Sequence, residues 1–152
     1  MIMRHGDAEP NFRDDQNRNL TTQGMIEVQK AGIWLHSKIE QVDYALVSPY
    51  VRAQQTYELI SDFVEVSNCE TTHEVIPSGS ASTVHEYVDA LVAVKQDVES
   101  LIIVSHMPLV SYLLDNFCGH FESRLFATSG IAILDYDVSK RVGNISEFYT
   151  PE

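Results

Sequence analysis

The sequence predicts an α/β fold: a three-layer α/β/α sandwich on a mostly parallel sheet with an antiparallel edge. Three observations carry the prediction. Short apolar runs alternate with segments whose apolar residues recur every three to four positions, from Ile2 to about Cys118. One run, "SLIIVS" (100–105), is β-branched and apolar, the pattern of a strand covered on both faces. The closing segments "GIAILDYD" and "NISEFYT" both read as strands with no helix between them, which places them at the sheet edge.

Each element follows from its residues. Positions 2–4 read as the end of a strand, short enough to expect a few more apolar residues ahead of it. "EPNFRDDQNRNL" (9–20) is polar and turn-rich, hence a loop. Thr21 and Thr22 offer an N-cap to a helix reaching about Ile39, with Met25, Val28, Gly32, Leu35 and Ile39 as its apolar stripe. "YALVS" (44–48) is a strand ended by Ser48-Pro49, and a helix from about 51 to 63 follows, with Ala53, Tyr57, Ile60 and Phe63 on one face. "EVIP" (74–77) reads as a short strand and "SGSAST" (78–83) as a loop and cap. A third helix, about 83 to 98, turns Val84, Tyr87, Val88, Leu91 and Val94 inward; after strand 100–105, "PLVSYLLDNFC" forms a fourth helix.

The whole chain, 1–152, is expected to form a single domain, since 152 residues suffice for one core and are too few for two. No run approaches the ~18 apolar residues that would span a bilayer, and the start shows no basic–apolar–small series of an export signal. Cys69 and Cys118 stand far apart and read as reduced thiols of a cytoplasmic protein. A formal net charge of −12 argues against a nucleic-acid partner. Nothing points to a membrane, and a monomer is the default.

No metal or other cofactor is expected. "HEYVD" (85–89) stops short of the HExxH zinc pattern because Asp89 stands where the second histidine would be. His36, His73 and His120 share no ligand spacing. "VSHMP" lacks the glycines of a nucleophile elbow.

Against that acidic background six arginines are scarce, and two of them, Arg4 and Arg52, fall at strand-to-loop junctions. In parallel sheets ligands bind beyond the carboxyl ends of the strands. Arg4-His5 follows the first strand, Ser48–Arg52 the second and Ser105-His106 the buried one, so two arginines and two histidines should meet at one rim. That set suits phosphoryl chemistry. Arginine reads phosphate oxygens in a bidentate fork, and neutral imidazole can attack phosphorus and carry the phosphoryl group. Nearby arginines keep the imidazole unprotonated. Helix N-termini after positions 50 and 106 add backbone N–H groups toward an anion. Gly6, without a Cβ, would let the turn approach the phosphate, so Gly6→Val should harm activity more than stability.

Four segments carry a resemblance: Arg4-His5-Gly6, "NLTTQG" (19–24), "VSPYVRAQQT" (47–56) and "VSHMPLV" (104–110). In this order, each at a strand end or a helix start, they resemble the histidine phosphatase (phosphoglycerate mutase-like) superfamily, and among its members the short bacterial phosphohistidine phosphatases. The resemblance implies that His5 is the nucleophile, that Arg4 and Arg52 clamp the phosphoryl oxygens and that His106 stabilises the group. It implies a substrate-orienting role for Arg18. The implied substrate is a histidine-containing phosphotransfer domain of a sensor kinase, or a phosphocarrier protein. One departure bears on substrate. Many members place a general-acid carboxylate after the third strand or after the second histidine; here those places read Ser78-Gly79-Ser80 and Met107-Pro108. An alkyl leaving group needs a proton, whereas the P–N bond of phosphohistidine is labile. Asp7, Glu9, Asp14 or Asp15 in the loop could still supply an acid. The alternatives are a broad phosphomonoesterase of the same superfamily and a phosphoprotein-binding module without turnover.

Overall fold

The apolar run of the sequence becomes an interior strand of a six-stranded sheet. A computed structural model describes residues 1–10 and 13–152; Asn11 and Phe12 of the expected loop lie outside the described residues. In chain order the elements are β1 (Ile2–Arg4), α1 (Thr22–His36), β2 (Gln41–Val42), β3 (Tyr44–Val47), α2 (Val51–Ser61), β4 (Glu65–Val66), β5 (Cys69–Thr71), α3 (Ala81–Val94), β6 (Leu101–Ser105), α4 (Leu109–Cys118), β7 (Ile131–Asp137) and β8 (Val142–Tyr149). The sheet order is β5-β3-β6-β1-β7-β8. The first four strands run parallel, and β7 and β8 add the antiparallel edge.

Strand side chains alternate between faces, so each buried strand feeds two cores. Ile103 of β6 packs with Leu46, Val84, Val88, Leu109 and Leu113 under α3 and α4. Its neighbours Ile102 and Val104 pack with Met3, Val28, Leu35, Ala53 and Ile60 under α1 and α2. Each fully buried aliphatic side chain contributes about 1.5–3 kcal/mol. This double anchoring makes the strands rigid supports for the residues at their ends. Among the described residues, no helix is long and apolar enough to cross a membrane.

Three expectations are corrected, and one pairing goes beyond them. α1 ends at His36; Met25 is exposed and Ala31 takes its place in the buried stripe, while Ile39 packs into the core from beyond the helix. "EVIP" is not a strand. The pairing strand is β5, and Thr72 then accepts a hydrogen bond from the Glu74 N–H, turning His73–Val75 into a 3-10 turn that buries Val75. α3 starts earlier, at Ala81 with Ser80 as its cap, and ends at Val94, which is exposed rather than inward. The two-residue pairing of β2 with β4 was too short to give a periodic signal.

Candidate active site

The carboxyl ends of β1, β3 and β6 bring His5, Ser48 and His106 to one rim, with the His5 and His106 ring centroids 5.0 Å apart. The backbone of His5 is held on both sides: its N–H donates to Ser105 O (3.0 Å), and its carbonyl accepts from the Ser129 N–H (3.0 Å). Its ring is buried, and Nδ1 lies 2.7 Å from the Gly6 carbonyl oxygen. A carbonyl can only accept, so Nδ1 carries the proton and Nε2 keeps its lone pair. The Arg52 Nε–H points at that same Nε2 at 3.2 Å. Burial, opposed by the Gly6 carbonyl and reinforced by Arg52, Arg4 and Arg18, holds the His5 pKa down to about 3. His5 is therefore a neutral imidazole with a directed lone pair.

His106 is neutral too. Burial, then the neighbouring His5 and the arginines, lower its pKa to about 2. Its Nε2 lies 2.7 Å from Ser48 Oγ, and its buried Nδ1 has no hydrogen-bond partner among the described residues. Tyr50 meets the ring edge-on at 5.1 Å.

Three arginines surround this pair. Arg4 donates from Nη1 to Phe126 O (2.7 Å), while its Nε is buried and unpartnered among the described residues. Arg52 is buried; besides His5 it reaches Asp15 O from Nη1 (2.7 Å) and Asp15 Oδ2 from Nη2 (3.3 Å). Arg18 donates from Nε to Glu9 O (2.7 Å) and from Nη1 to Asp15 Oδ1 (3.0 Å). Arg18 thus joins the cluster through Asp15. Burial pushes the Asp15 carboxyl up, but Arg18 and Arg52 together outweigh it and hold it below the usual carboxylate range.

The other loop carboxylates have their hydrogen-bond partners elsewhere, although Asp7 lies close enough to Arg4 to act on its charge. Asp7 Oδ2 accepts from Thr21 Oγ1 (2.8 Å), and Asp14 Oδ2 accepts from Asn17 Nδ2 (2.7 Å). Asp15 is the one whose carboxylate hydrogen-bonds to the arginine cluster, and it does so as an anion.

The motif spacings have local reasons. Thr56, one turn beyond Arg52, donates from Oγ1 to Arg52 O (2.7 Å) and accepts the Gly6 N–H (3.0 Å), tying the loop after β1 to α2. Thr21 Oγ1 caps α1 by accepting the Gly24 N–H (2.9 Å). A Cβ on Gly24 would fall 2.1 Å from Asp7 O, so only glycine lets the loop lie against α1. Gly6 faces the same helix rather than the rim: a Cβ there would come within 2.7 Å of Val28 Cγ2 and 3.1 Å of Gly24 O. Gly6→Val is therefore expected to lower stability along with activity, by about 1–3 kcal/mol as overpacking does. Urea unfolding followed beside turnover checks this; unchanged stability would return the glycine to a purely catalytic role.

Sequence reasoning placed His5, His106, Arg4 and Arg52 at this end of the sheet, and all four are there; Arg18, singled out through the resemblance alone, joins them through Asp15. It missed Ser48 and Thr56 as partners, the bridging position of Asp15, and the 126–129 segment that touches Arg4 and His5. Ser48 and Thr56 stand inside a quoted motif, so the signal was present. The 126–129 segment carries none. His85 is a satisfied core histidine, 2.6 Å from both Asn116 Oδ1 and Tyr136 Oη. Among the described residues no three His, Cys, Asp or Glu side chains converge as a metal site requires. A larger groove of ≈ 840 Å³ lies at the opposite end of the sheet, around Met1, Leu101 and Leu134, away from the arginine cluster.

A parallel-sheet rim that sets a neutral histidine among arginines and a second histidine defines a hydrolase acting on phosphoryl groups. The chain belongs to the histidine phosphatase superfamily: residues 1–75 match the model of its branch 1. It is similar to the phosphohistidine phosphatase SixA of Escherichia coli (strain K12), with 37% identity covering 91% of this chain and 85% of that protein. It is also similar to the SixA homolog of Haemophilus influenzae, with 34% identity covering 91% of this chain and 88% of that one. The solved structure of the protein histidine phosphatase SixA complexed with tungstate superimposes with a TM-score of 0.90 at 37% identity, covering 99% of this chain and 95% of that one.

Proposed function

We propose that the protein is a phosphohistidine phosphatase acting through a covalent phosphohistidine at His5. Its substrate is a histidine-containing phosphotransfer domain of a sensor kinase or a phosphocarrier protein. The observation that carries this reading is the His5 Nε2 lone pair, held on a neutral ring beside Arg52, whose carboxylate partner Asp15 is held below the usual carboxylate range.

In the first step Nε2 attacks phosphorus as the P–N bond to the substrate breaks. The bonding pair returns to the substrate imidazole, which takes a proton from water. Arg52 Nε exchanges its contact with His5 Nε2 for a phosphoryl oxygen. His106 Nδ1 and Arg4 Nε, both buried and unpartnered, are suited to the other oxygens. Nδ1 of His106 donates when Ser48 Oγ–H donates to Nε2. In the second step water attacks the phosphorylated His5, and inorganic phosphate leaves with the ring restored. Such transition states are loose, so these donors act by position and charge. The tungstate bound by the similar SixA structure is a tetrahedral oxyanion, as phosphate is.

The two cysteines are free thiols, in keeping with a reducing, cytoplasmic setting. We propose a monomer.

The test is phosphate release, in chelator, from a ³²P-labelled phosphohistidine domain, with p-nitrophenyl phosphate in parallel. Phosphohistidine is expected to be the better substrate; p-nitrophenolate leaves without a proton, so an alkyl phosphate run beside both carries the acid-dependent comparison and is expected to be at least about 100-fold slower than phosphohistidine, the range general acid catalysis contributes. A faster aryl-ester rate would favour a broad phosphomonoesterase and make Asp15 the next residue to mutate. Binding without release would favour a recognition module.

A further inference from the structure

We propose that Tyr112, Phe121 and Leu125 form the surface on which the phosphohistidine-bearing protein docks; this rests on the phosphohistidine reading above. These are large apolar side chains, 56%, 86% and 79% exposed, in a chain whose two cores bury nearly all their aliphatic residues. Single exposed apolar residues are ordinary, but a group beside a functional mouth marks an interaction site.

Their position is fixed by named contacts. α4 begins directly after His106 and the cis Met107–Pro108 bond, so its first turns belong to the rim. Ser111, in its first turn, donates from Oγ to Arg124 O (2.6 Å). Two residues on, Phe126 O accepts from Arg4, and Ser129 N–H donates to His5 O. Leu125 therefore sits between one anchor on α4 and another on a phosphate-clamp arginine. Tyr112 follows Ser111, and together with Phe121 and Ala81 it lines a groove of ≈ 410 Å³ between α4 and the start of α3. Leu125 thus lies beside the clamp, and Tyr112 and Phe121 line a groove shared with Asp115, Asn116 and His120 along and just past α4.

The loop after β1 also borders the arginines, and Glu9, Asp14, Asp15, Asn17 and Arg18 among its described residues are polar. A partner that inserts a phosphorylated side chain touches both borders at once, so the asymmetry orients it. Its apolar flank lies over Leu125 and Phe121, and its polar flank over the loop. Net charge of −12 gives no general attraction for a phosphorylated partner. The arginines near the mouth, Arg4, Arg18 and Arg52 with Arg124 stacked on Phe148 at 4.8 Å, attract only at short range. Apolar burial beside the clamp supplies the affinity that the overall charge opposes. The partner fitted here carries an apolar patch next to its phosphohistidine, with acidic residues at that patch's edge facing Arg124.

The test is steady-state kinetics of Leu125→Asp, Phe121→Ser and the double variant. Two probes are used: a histidine-phosphorylated phosphotransfer domain and phosphoramidate, which needs no docking. Thermal unfolding of each variant is followed alongside, and because both side chains are exposed, the midpoints are expected to stay at the wild-type value. The double variant is expected to raise KM for the protein substrate roughly 10-fold or more, the scale of an interface anchor. Its kcat for that substrate and its phosphoramidate hydrolysis should remain within about twofold of wild type. An unchanged KM for the protein overturns the docking surface, as does an equal loss on both probes. Wild-type enzyme that hydrolyses phosphoramidate but leaves the phosphoprotein intact overturns the substrate reading itself, and that result is visible before any variant is made.

Discussion

His5→Ala is expected to lower turnover by at least about four orders of magnitude, the scale on which losing a nucleophile acts. Among the described residues no other side chain offers a lone pair at that place. His106 Nε2 is engaged with Ser48 Oγ, and the arginines can only donate. In ³²P transfer experiments the variant should show no labelled enzyme, while inorganic phosphate should still bind because Arg4, Arg52 and His106 remain. Retained labelling would sink His5 as the phosphoryl acceptor. The same residue predicts a pH effect on stability. Folded His5 and His106 hold pKa values of about 3 and about 2, against an ordinary value of 6.5 in the unfolded chain. The unfolded state therefore takes up protons that the folded state refuses. Stability is fully present above about pH 6.5 and falls as pH drops toward 3. His5→Ala removes one of the two groups, so its stability should fall less steeply between pH 7 and pH 4 than that of wild type, as urea titrations at each pH would show.

How much of this was legible in the sequence follows from what each residue does locally. The long apolar periods of β6 and α4 could be read because both elements are buried along most of their length, and β1, though only three residues long, was fixed by Arg4-His5-Gly6. "EVIP" misled because Val75 and Ile76 are β-branched and apolar, and the Thr72 side chain that turns the chain instead lies two residues earlier. Val94 misled because it keeps the apolar spacing but is the last residue of α3, where it is exposed. At the site, residues that act through their own position were visible: His5, His106, Arg4 and Arg52 follow strand ends. Residues that act through a contact across the fold were not. Asp15 sits 37 positions from Arg52 in sequence, and Phe126 sits 122 from Arg4; no local pattern records either pairing. Gly6 was read correctly as a close approach, but toward the wrong neighbour, since the sequence does not say which side of the turn α1 occupies.

Arg52→Lys carries the second large effect and separates charge from geometry. Lysine keeps the positive charge, so the electrostatic pressure that holds His5 neutral persists. What it cannot keep is the fork. Arg52 directs Nε at His5 Nε2, Nη1 at Asp15 O and Nη2 at Asp15 Oδ2, three directions fixed by one planar group. An ammonium on a flexible stem reaches one of these at a time. The expected loss in kcat is about 10²–10³, that of one preorganised donor set at a developing charge, with His5 still able to take up ³²P slowly. Arg52→Ala should lose more, because it removes charge and fork together and leaves the Asp15 carboxylate without its buried partner. Asp15→Asn supplies the control: it weakens the pairing that holds Arg52 and Arg18 but leaves the Asp15 backbone acceptor in place, so its effect should be smaller than that of Arg52→Lys. If Arg52→Lys turned over near the wild-type rate, positive charge alone would suffice, and the close fit of Arg52 between the nucleophile and Asp15 would be a matter of packing. If it fell as expected, the buried guanidinium would be the element that converts a neutral histidine into a phosphoryl acceptor, by releasing Nε2 as it takes hold of the incoming oxygen.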